Sequence, residues 1–461
     1  MANKPLLFNA FTMNCVSFIN HGLWRHPETR QTDYTDLDTW VELARMLERG
    51  RFDTLFFADV IGTYDVYRGG LDTAIREATQ FPNNDPSVLI PALAHATEHL
   101  GFAFTGSVLQ EHPFTFARKV STLDHLTKGR VAWNIVTSFQ SSAGRNFGFE
   151  EQVPHDERYV WADEYMEVVY KLWEGSWEDG AILCDKENGV YADPARVHPV
   201  NHAGVRYRVA GPHLSEPSPL RTPVLFQAGS SEAGRSFAAR HAEGTFILAP
   251  NPLAARTNIE DVRARAVAAG RRADDIAFFQ GLSFVVGSTE EEARRKNDEI
   301  DDHLSVEGLM THMSGNIGVD LSAIDPHKPL SELRTEVAHG AVRGMIEGAP
   351  DQTQTFADLA RLVTTTRVVG TPEQIADGLE TWAAAGVDGF NITYVITPGT
   401  FEDFIDHAVP VLQERGLMRR EYEPGTLREK LRPGAGPRLP RRHPAASYRH
   451  PRTQNRETFS V

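Results

Sequence analysis

The stretch Val224-Leu225-Phe226-Gln227-Ala228-Gly229-Ser230-Ser231-Glu232-Ala233-Gly234-Arg235-Ser236-Phe237-Ala238-Ala239-Arg240-His241 changes its periodicity halfway along. An apolar run of strand character stops in small residues at Ala228 and Gly229, and from Ser236 onward the apolar positions have helical spacing. A strand that passes through a Ser-rich turn into a helix is one βα unit. Its turn exposes unpaired backbone N–H groups at a helix N-terminus, where an anion gains from hydrogen bonds and from the helix dipole. Ser230 and Ser231 therefore read in two ways: as a phosphate cradle without a lysine, or as the serine cap of an ordinary helix.

The same unit recurs along the chain. Strand-like runs lie at Leu6–Phe11, Thr54–Asp59, Phe102–Val108, Val131–Thr137, Val224–Ala228, Thr245–Leu248, Ile276–Val286 and Phe390–Ile396. Amphipathic segments separate them, such as Leu37 to Glu48, with Leu37, Trp40, Val41, Ala44 and Leu47 on one face, and Tyr159 to Trp173. Three junctions, around Gly50, Gly244 and Gly386, predict a glycine in a left-handed turn where a helix stops. Eight such units predict an α/β fold of the (β/α)8 TIM-barrel type with insertions. A doubly wound sheet would carry a Gly-rich fingerprint after its first strand, and none stands there.

Residues 1–415 are thus expected to form one barrel, interrupted at about 175–222 by a Pro-, His- and Gly-rich insertion and at about 288–368 by a charged helical one. Residues 416–461 read as an extended basic arm. They hold 11 Lys+Arg against 4 Asp+Glu, a net of +7, so the body carries −15 − 7 = −22. With prolines at 424, 433, 437, 440, 444 and 451, the arm is expected to lack regular structure. It is expected to embrace the acidic surface of a neighbouring subunit in a homodimer or dimer-based tetramer, with a wrap over its own barrel as the alternative.

Composition narrows the function. The chain has 461 residues, 41% of them hydrophobic, and no apolar run approaching the ~18 residues of a membrane span, so no membrane association is expected. The start, Met1 to Asn9, carries no signal-peptide pattern, which predicts a cytoplasmic protein. A formal charge of −15 argues against nucleic acid as a partner. Cys15 and Cys184, the two cysteines, fit neither a disulfide framework nor a zinc module. His95 and His99 stand four apart without the glutamate that zinc proteases place after the first histidine, so no metal site is expected. Gly-x-Ser-x-Gly and a strand-end lysine are both missing, which disfavours an esterase elbow and a Schiff-base aldolase. What the strand ends do offer is neutral and polar: Asn9 to Cys15, Asp59, Thr105 to Ser107, Asn134, Thr137 and Ser138.

Seven strings carry a resemblance that spans almost the whole chain. They are LERGRFDTLFFADV (47–60), STLDHLTKGRVAWNIVTS (121–138), RNFGF (145–149), HDERY (155–159), ADEYMEVVYKLWEGSWED (162–179), PVLFQAGSSEAGRSFAARHAE (223–243) and VVGTPEQIADGLE (368–380). They resemble the luciferase-like flavin-dependent monooxygenases that group nitrilotriacetate monooxygenase, pristinamycin synthase and dibenzothiophene-sulfone monooxygenase. HGLWRHP (21–27), YDVYRG (64–69), VNHAG (200–204) and EPGTLREKL (423–431) resemble the branch of long-chain alkane and dimethyl sulfide monooxygenases.

The resemblance implies a two-component enzyme. Reduced FMN comes from a separate NAD(P)H:FMN reductase, by diffusion or transient contact, and O2 is the co-substrate. A C4a-(hydro)peroxide then oxygenates a small or medium apolar substrate of alkane, thioether or sulfone type. A homodimer or homotetramer is also implied. Flavin contacts fall on Asp59, Thr105, Ser107, Asn134 and Thr137 at the ring and on His155, Tyr159, Ser230 and Ser231 at the ribityl-phosphate. Cys15, Tyr64, Gln80 and His312 align with catalytic positions, with His312 as donor to the distal peroxide oxygen. Phe11, Met13, Phe18, Phe139, Met310 and Met313 are expected to line a dry substrate chamber. Phe18 and Phe139 stand where the alkane-oxidising pattern has histidines, which points toward a small or aromatic thioether or sulfone. A non-catalytic flavin-binding barrel and a deazaflavin-dependent oxidoreductase are the competing readings.

Overall fold

The computed structural model describes residues 4–150, 153–323 and 367–450, together with Asp325 and Thr355. Most of the second insertion after Ile317 and the last eleven residues of the arm, 451–461, lie outside the described residues. All eight expected strands are present: β1 Leu7–Met13, β2 Thr54–Ala58, β3 Gly101–Ser107, β4 Val131–Val136, β5 Val224–Gln227, β6 Gly244–Ile247, β7 Ala277–Val286 and β8 Gly389–Thr393. Each pairs in parallel with the next, β8 pairs with β1 (Leu7↔Gly389), and β6 with β7 (Gly244↔Ala277), so the sheet closes into a barrel. A further strand, Arg367–Gly370, extends the sheet beyond the end of β7.

Alternation along the strands decides what fills the barrel. Phe11, Phe56, Phe226, Phe246 and Phe279 meet in one aromatic layer, with ring centroids 5.0 to 5.5 Å apart. Below it Asn9 donates to Asn391 at 2.8 Å and accepts from the Thr54 hydroxyl at 2.7 Å, which pairs both ends of the buried Asn9 amide and leaves Asn391 Nδ2 without a partner. Phe11 is therefore packing inside the barrel and no wall of a substrate chamber, because its mid-strand position puts the ring at the depth of this layer.

The glycines at the junctions act differently from expectation. Only Gly386 adopts the left-handed turn, with φ 101°. At the first junction Arg51 takes it, with φ 62°, and Gly50 is required because a Cβ there would meet Ile405 Cγ1 at 2.5 Å. Gly244 opens β6, where a Cβ would meet the Phe226 ring at 2.4 Å, so it makes room for the aromatic layer. On the helix Leu37–Arg49 the buried face is Trp40, Leu43, Ala44 and Leu47; Leu37 is exposed, since it directly follows the capping residue Asp36.

The first insertion holds two short antiparallel pairs, Ile182–Asp185 with Val190–Ala192 and His202–Ala203 with Arg208–Val209. The second begins with the helices Glu290–His303 and Val306–Ile317.

The described part of the arm crosses the N-terminal ends of its own barrel's strands. It is not devoid of regular structure: Leu427–Leu431 is helical, with a Thr426/Glu429 capping box that overrides the flanking prolines. Its cations seek carboxylates buried under the barrel. Arg428 donates to Glu243 at 2.6 and 2.9 Å and to the carbonyls of Thr222 and Pro223 at 3.0 Å, with both side chains almost fully buried. Arg432 and Arg442 both reach Asp275, and Arg438 and Arg449 both reach Glu174. Arg419 pairs with Asp53 under β2.

Burial pushes the Asp275 carboxyl up, but the Arg442 and Arg432 guanidiniums and the Arg272 backbone N–H outweigh it and hold the group well below the usual carboxylate range. For Glu174 too, the guanidinium of Arg449 outweighs burial, and its pKa is lowered. Depressed folded-state values mean that this stabilisation is complete above the unfolded carboxylate range and is lost as pH falls through the folded values. The stability difference between the parent and Arg442→Ala, measured by urea unfolding, should hold level above about pH 5 and shrink steadily toward pH 2. At pH 7, Arg428→Met should cost about 3–5 kcal/mol, because Glu243 keeps a buried charge without its partner. An unfolding midpoint equal to the parent's would show that the pair carries no net weight.

Candidate active site

A cleft of about 320 Å³ opens at the C-terminal ends of β2 to β5. That is the end where barrel enzymes assemble their sites, and the volume is at the lower edge of what small-molecule and cofactor pockets occupy. Asp59, Thr105, Ser107, Thr137, His155 and Tyr159 line it, so six of the nine positions expected to contact a flavin face one space. Asn134 stands just behind them, its amide donating to the Thr105 hydroxyl at 2.9 Å, which in turn donates to the Phe57 carbonyl.

The phosphate end of the expected site is built on the helix His155–Tyr170 and on the turn that opens Glu232–His241. The Tyr159 hydroxyl is hydrogen-bonded to Ser231, Gln227 and Thr137, and burial raises its pKa. A Cβ on Gly229 would meet that hydroxyl at 2.7 Å and one on Gly234 at 2.8 Å, so both glycines are needed for Tyr159 to approach the turn. Ser231 is also a helix cap, accepting from the Gly234 N–H at 3.1 Å. Its hydroxyl proton remains available, so the capping and anion-binding readings coexist in one side chain. The Gly229 N–H is not free, because it donates to Gln227 Oε1 at 2.8 Å. Ser230 is exposed beside the turn and does not form part of the cleft wall.

Arg158 is the main cleft residue that sequence reasoning missed. It is 7% exposed, lines the cleft, donates to the Ser138 carbonyl and leaves its Nε buried without a partner. Burial lowers its pKa, the sign of a cation short of counter-charge. The signal was present, since Arg158 follows His155 by three and so shares its helix face. Gln227 and Gln140 also line the cleft.

Beyond Asp59 the cleft borders a buried polar cluster. Tyr64 donates to Gln80 Oε1 at 2.9 Å, and Gln80 donates to the Phe18 carbonyl at 3.0 Å. His312, on the helix Val306–Ile317, stands edge-on to the Tyr64 ring at 5.0 Å and shares a 2.9 Å hydrogen bond between its Nδ1 and His21 Nε2. Cys15 donates to the Ser17 carbonyl at 3.3 Å. All four expected catalytic positions thus converge, and His21 joins them; 291 residues separate it from His312, and no spacing rule could have paired them.

Burial keeps this cluster uncharged. It drives the Cys15 thiol and the Tyr64 phenol well up, with the neighbouring Asp59 adding to the effect on Cys15. It brings His312 down to about 4, and lowers His21 further with the help of His312. Asp59 is pushed up to about 7, first by burial and then by Asp85, against the hydrogen bond from Asn83. Asp59, on the cleft wall, thus acts on Cys15 of the cluster with its own carboxyl held above the usual carboxylate range.

The expected apolar lining is dispersed. Phe139 lines the main cleft and is 45% exposed. Met13 and Cys15 face a second cavity of about 90 Å³ behind β1 and β8, shared with Trp40 and Tyr394. Phe18 packs on Phe11 at 5.1 Å and, with Met310 and Met313, is buried away from the cleft wall. These three serve packing, which apolar residue type alone cannot distinguish from lining. His95 and His99 form no metal pair: the His99 ring stacks on Tyr422 at 4.9 Å.

Comparison with known proteins gives the family. The profile of the luciferase-like monooxygenase family matches residues 13–389. The long-chain alkane monooxygenase of Geobacillus thermodenitrificans is 49% identical over 97% of this chain and 98% of its own length. The dimethyl-sulfide monooxygenase of Hyphomicrobium sulfonivorans is 47% identical over 97% of this chain and 94% of its own. A crystal structure from H. sulfonivorans superposes with a TM-score of 0.92 at 47% identity, covering 97% of this chain and 96% of that one. A riboflavin lyase crystallised with modified FMN and riboflavin is 40% identical, with a TM-score of 0.87, over 97% of this chain and 100% of that one. Among the described residues no helix is long and apolar enough to cross a membrane. The chain belongs to the luciferase-like monooxygenase family.

Proposed function

We propose that this chain is the oxygenase component of a two-component FMN-dependent monooxygenase. It takes reduced FMN from a separate NAD(P)H:FMN reductase and transfers one atom of O2 to a small or medium apolar substrate, of thioether, sulfone or alkane type. One observation carries the reading: a cleft with a cationic, donor-rich end has Asp59 on its wall, and Asp59 acts electrostatically on Cys15 of a buried cluster of uncharged proton-bearing side chains.

The donor set suits FMN. The unpartnered Nε of Arg158, the Tyr159 and Ser231 hydroxyls and the helix N-terminus behind them would hold a phosphate monoester, with His155 alongside and Ser230 exposed outside the cleft wall. Asp59, Thr105, Ser107, Asn134 and Thr137 offer hydrogen bonds along a ring system, Thr137 next to Tyr159. Reduced flavin bound there supplies two electrons for oxygen activation, one oxygen atom going to the substrate and the other leaving as water.

The cluster handles the protons. With His21 Nδ1 bare and unpartnered, His21 Nε2–H donates to His312 Nδ1, which puts the proton of His312 on Nε2. His312 is the donor toward the reacting oxygen, and His21 positions it by selecting that tautomer. Tyr64, held by Gln80, is a second donor, and Cys15 stays a thiol. Exclusion of water protects the oxygenating species, and the burial of Tyr64, Gln80, His21 and Cys15 supports that role. Phe139 adds aromatic surface at the cleft, which favours thioether or sulfone substrates over long alkanes.

The direct test combines the purified chain with a generic FMN reductase, NADH and candidate thioethers, sulfones and alkanes. Mass spectrometry should show a product gaining one oxygen, and the chain alone should not oxidise NADH; NADH turnover without reductase would sink the two-component reading. Arg158→Met, or Ser231→Ala with Tyr159→Phe, should weaken reduced-FMN affinity by about 1.5–3 kcal/mol in an anaerobic titration. An unchanged titration would remove the phosphate assignment. His312→Ala should raise hydrogen peroxide released per reduced flavin while flavin binding stays close to parental, and His21→Leu should do the same to a smaller extent. Parental coupling in both variants would leave the pair with a packing role only.

A further inference from the structure

Three residues far from the cleft meet where the arm crosses the first insertion. The ligand atoms of Glu178, His198 and His450 all lie within 4.8 Å of one another. We propose that they form a binding site for a divalent transition-metal ion, with Zn2+ as the representative species, which clasps the C-terminal arm to the insertion.

The scaffold is rigid on two sides. Trp177 and Val197 form an antiparallel bridge, the Glu178 N–H donates to the Arg196 carbonyl at 2.9 Å, and the His198 N–H donates to the Ser176 carbonyl at 2.7 Å. That ladder puts Glu178 and His198 on one face as diagonal neighbours, with His198 Nε2 2.8 Å from Glu178 Oε1. The third ligand is delivered by the arm. Arg449 pins the preceding residue, donating to the buried Glu174 at 2.5 Å and to the Leu439 carbonyl at 2.9 Å. Gly175 has no room for a Cβ, which would meet the Tyr448 carbonyl oxygen at 2.9 Å, so the arm lies directly on the root of the insertion.

The donor chemistry suits zinc. Two imidazoles and one carboxylate make three protein ligands, with water able to complete a tetrahedron. Metal–nitrogen bonds of about 2.0–2.1 Å put tetrahedral donors about 3.3 Å apart, so the present set needs to contract only modestly, and the His450 ring already lies against His198 with centroids 4.0 Å apart. His450 Nε2 donates to the Gly175 carbonyl at 2.8 Å, which leaves Nδ1 as the ligand atom. A backbone carbonyl holding the second nitrogen is the support that metal-bound histidines ordinarily have. The expectation of no metal site came from spacing along the chain, and these three ligands come from segments that only folding joins.

The test uses the untagged full-length chain, stripped with EDTA and titrated calorimetrically with ZnCl2, beside His450→Ala and His198→Ala. The parent should bind one more equivalent than either variant, and Zn2+ should raise the parent's melting temperature more than theirs. Co2+ should give the intense visible bands of a four-coordinate site in the parent alone. Because His450 is exposed, its variant should fold even if His198→Ala does not. A parent that binds no Zn2+, or a His450→Ala chain that titrates and colours like the parent, overturns the site.

Discussion

Glu243 is the joint on which the barrel rests. Its backbone N–H donates to the Leu225 carbonyl and its own carbonyl accepts from the Ala277 N–H, so one residue links the starts of β5, β6 and β7. Its carboxylate accepts from the Leu225 N–H and from Arg428 of the arm. A charge buried so deeply costs several kcal/mol unless it is paired and hydrogen-bonded, and here the partner lies 185 residues along the chain. The arm therefore completes the barrel instead of decorating it. Glu174 and Asp275 repeat the arrangement with two further pairs of arginines.

The two ends of the barrel solve opposite problems across the phenylalanine layer. Under the strands Glu243, Glu174, Asp275 and Asp53 are each matched by guanidinium groups, which suits a face devoted to stability. At the strand ends the matching is deliberately incomplete. Arg158 has an unpartnered Nε, Asp59 is raised to about 7, and the His21–His312 pair is neutral because burial denies it a charge. Unsatisfied groups of this kind are costly to stability, and active sites are where such costs are met by ligand and reaction. The aromatic layer keeps the two regimes apart by blocking water and charge along the barrel axis.

Sequence reading reached the cleft where position depends on strand ends. Asp59, Thr105, Ser107 and Thr137 could be found because a parallel barrel delivers every strand's C-terminal residues to one mouth. It failed for Arg158, which a helix-face argument would have caught, and for His21, which no local argument reaches. Apolar lining was the least legible: Phe11 and Phe18 are core, Met13 faces a separate cavity, and only Phe139 faces the main cleft. Burial of a methionine or phenylalanine follows from hydrophobicity in either case, so residue type holds no information on which void it borders.

By itself the sequence determined the eight strands, the alternation with helices and the closing of those units into a barrel, because side-chain period and chain punctuation are local properties. It also determined that the arm's surplus of positive charge needed acidic partners. Only tertiary structure decided which acids those were, that Ser231 both caps a helix and faces Tyr159, and that His21, His312 and Tyr64 share one hydrogen-bonded corner. The physical reason is distance. Hydrogen bonds and ion pairs act over a few ångströms, and the separations between residues hundreds of positions apart are set by barrel closure and loop packing, which no local spacing encodes.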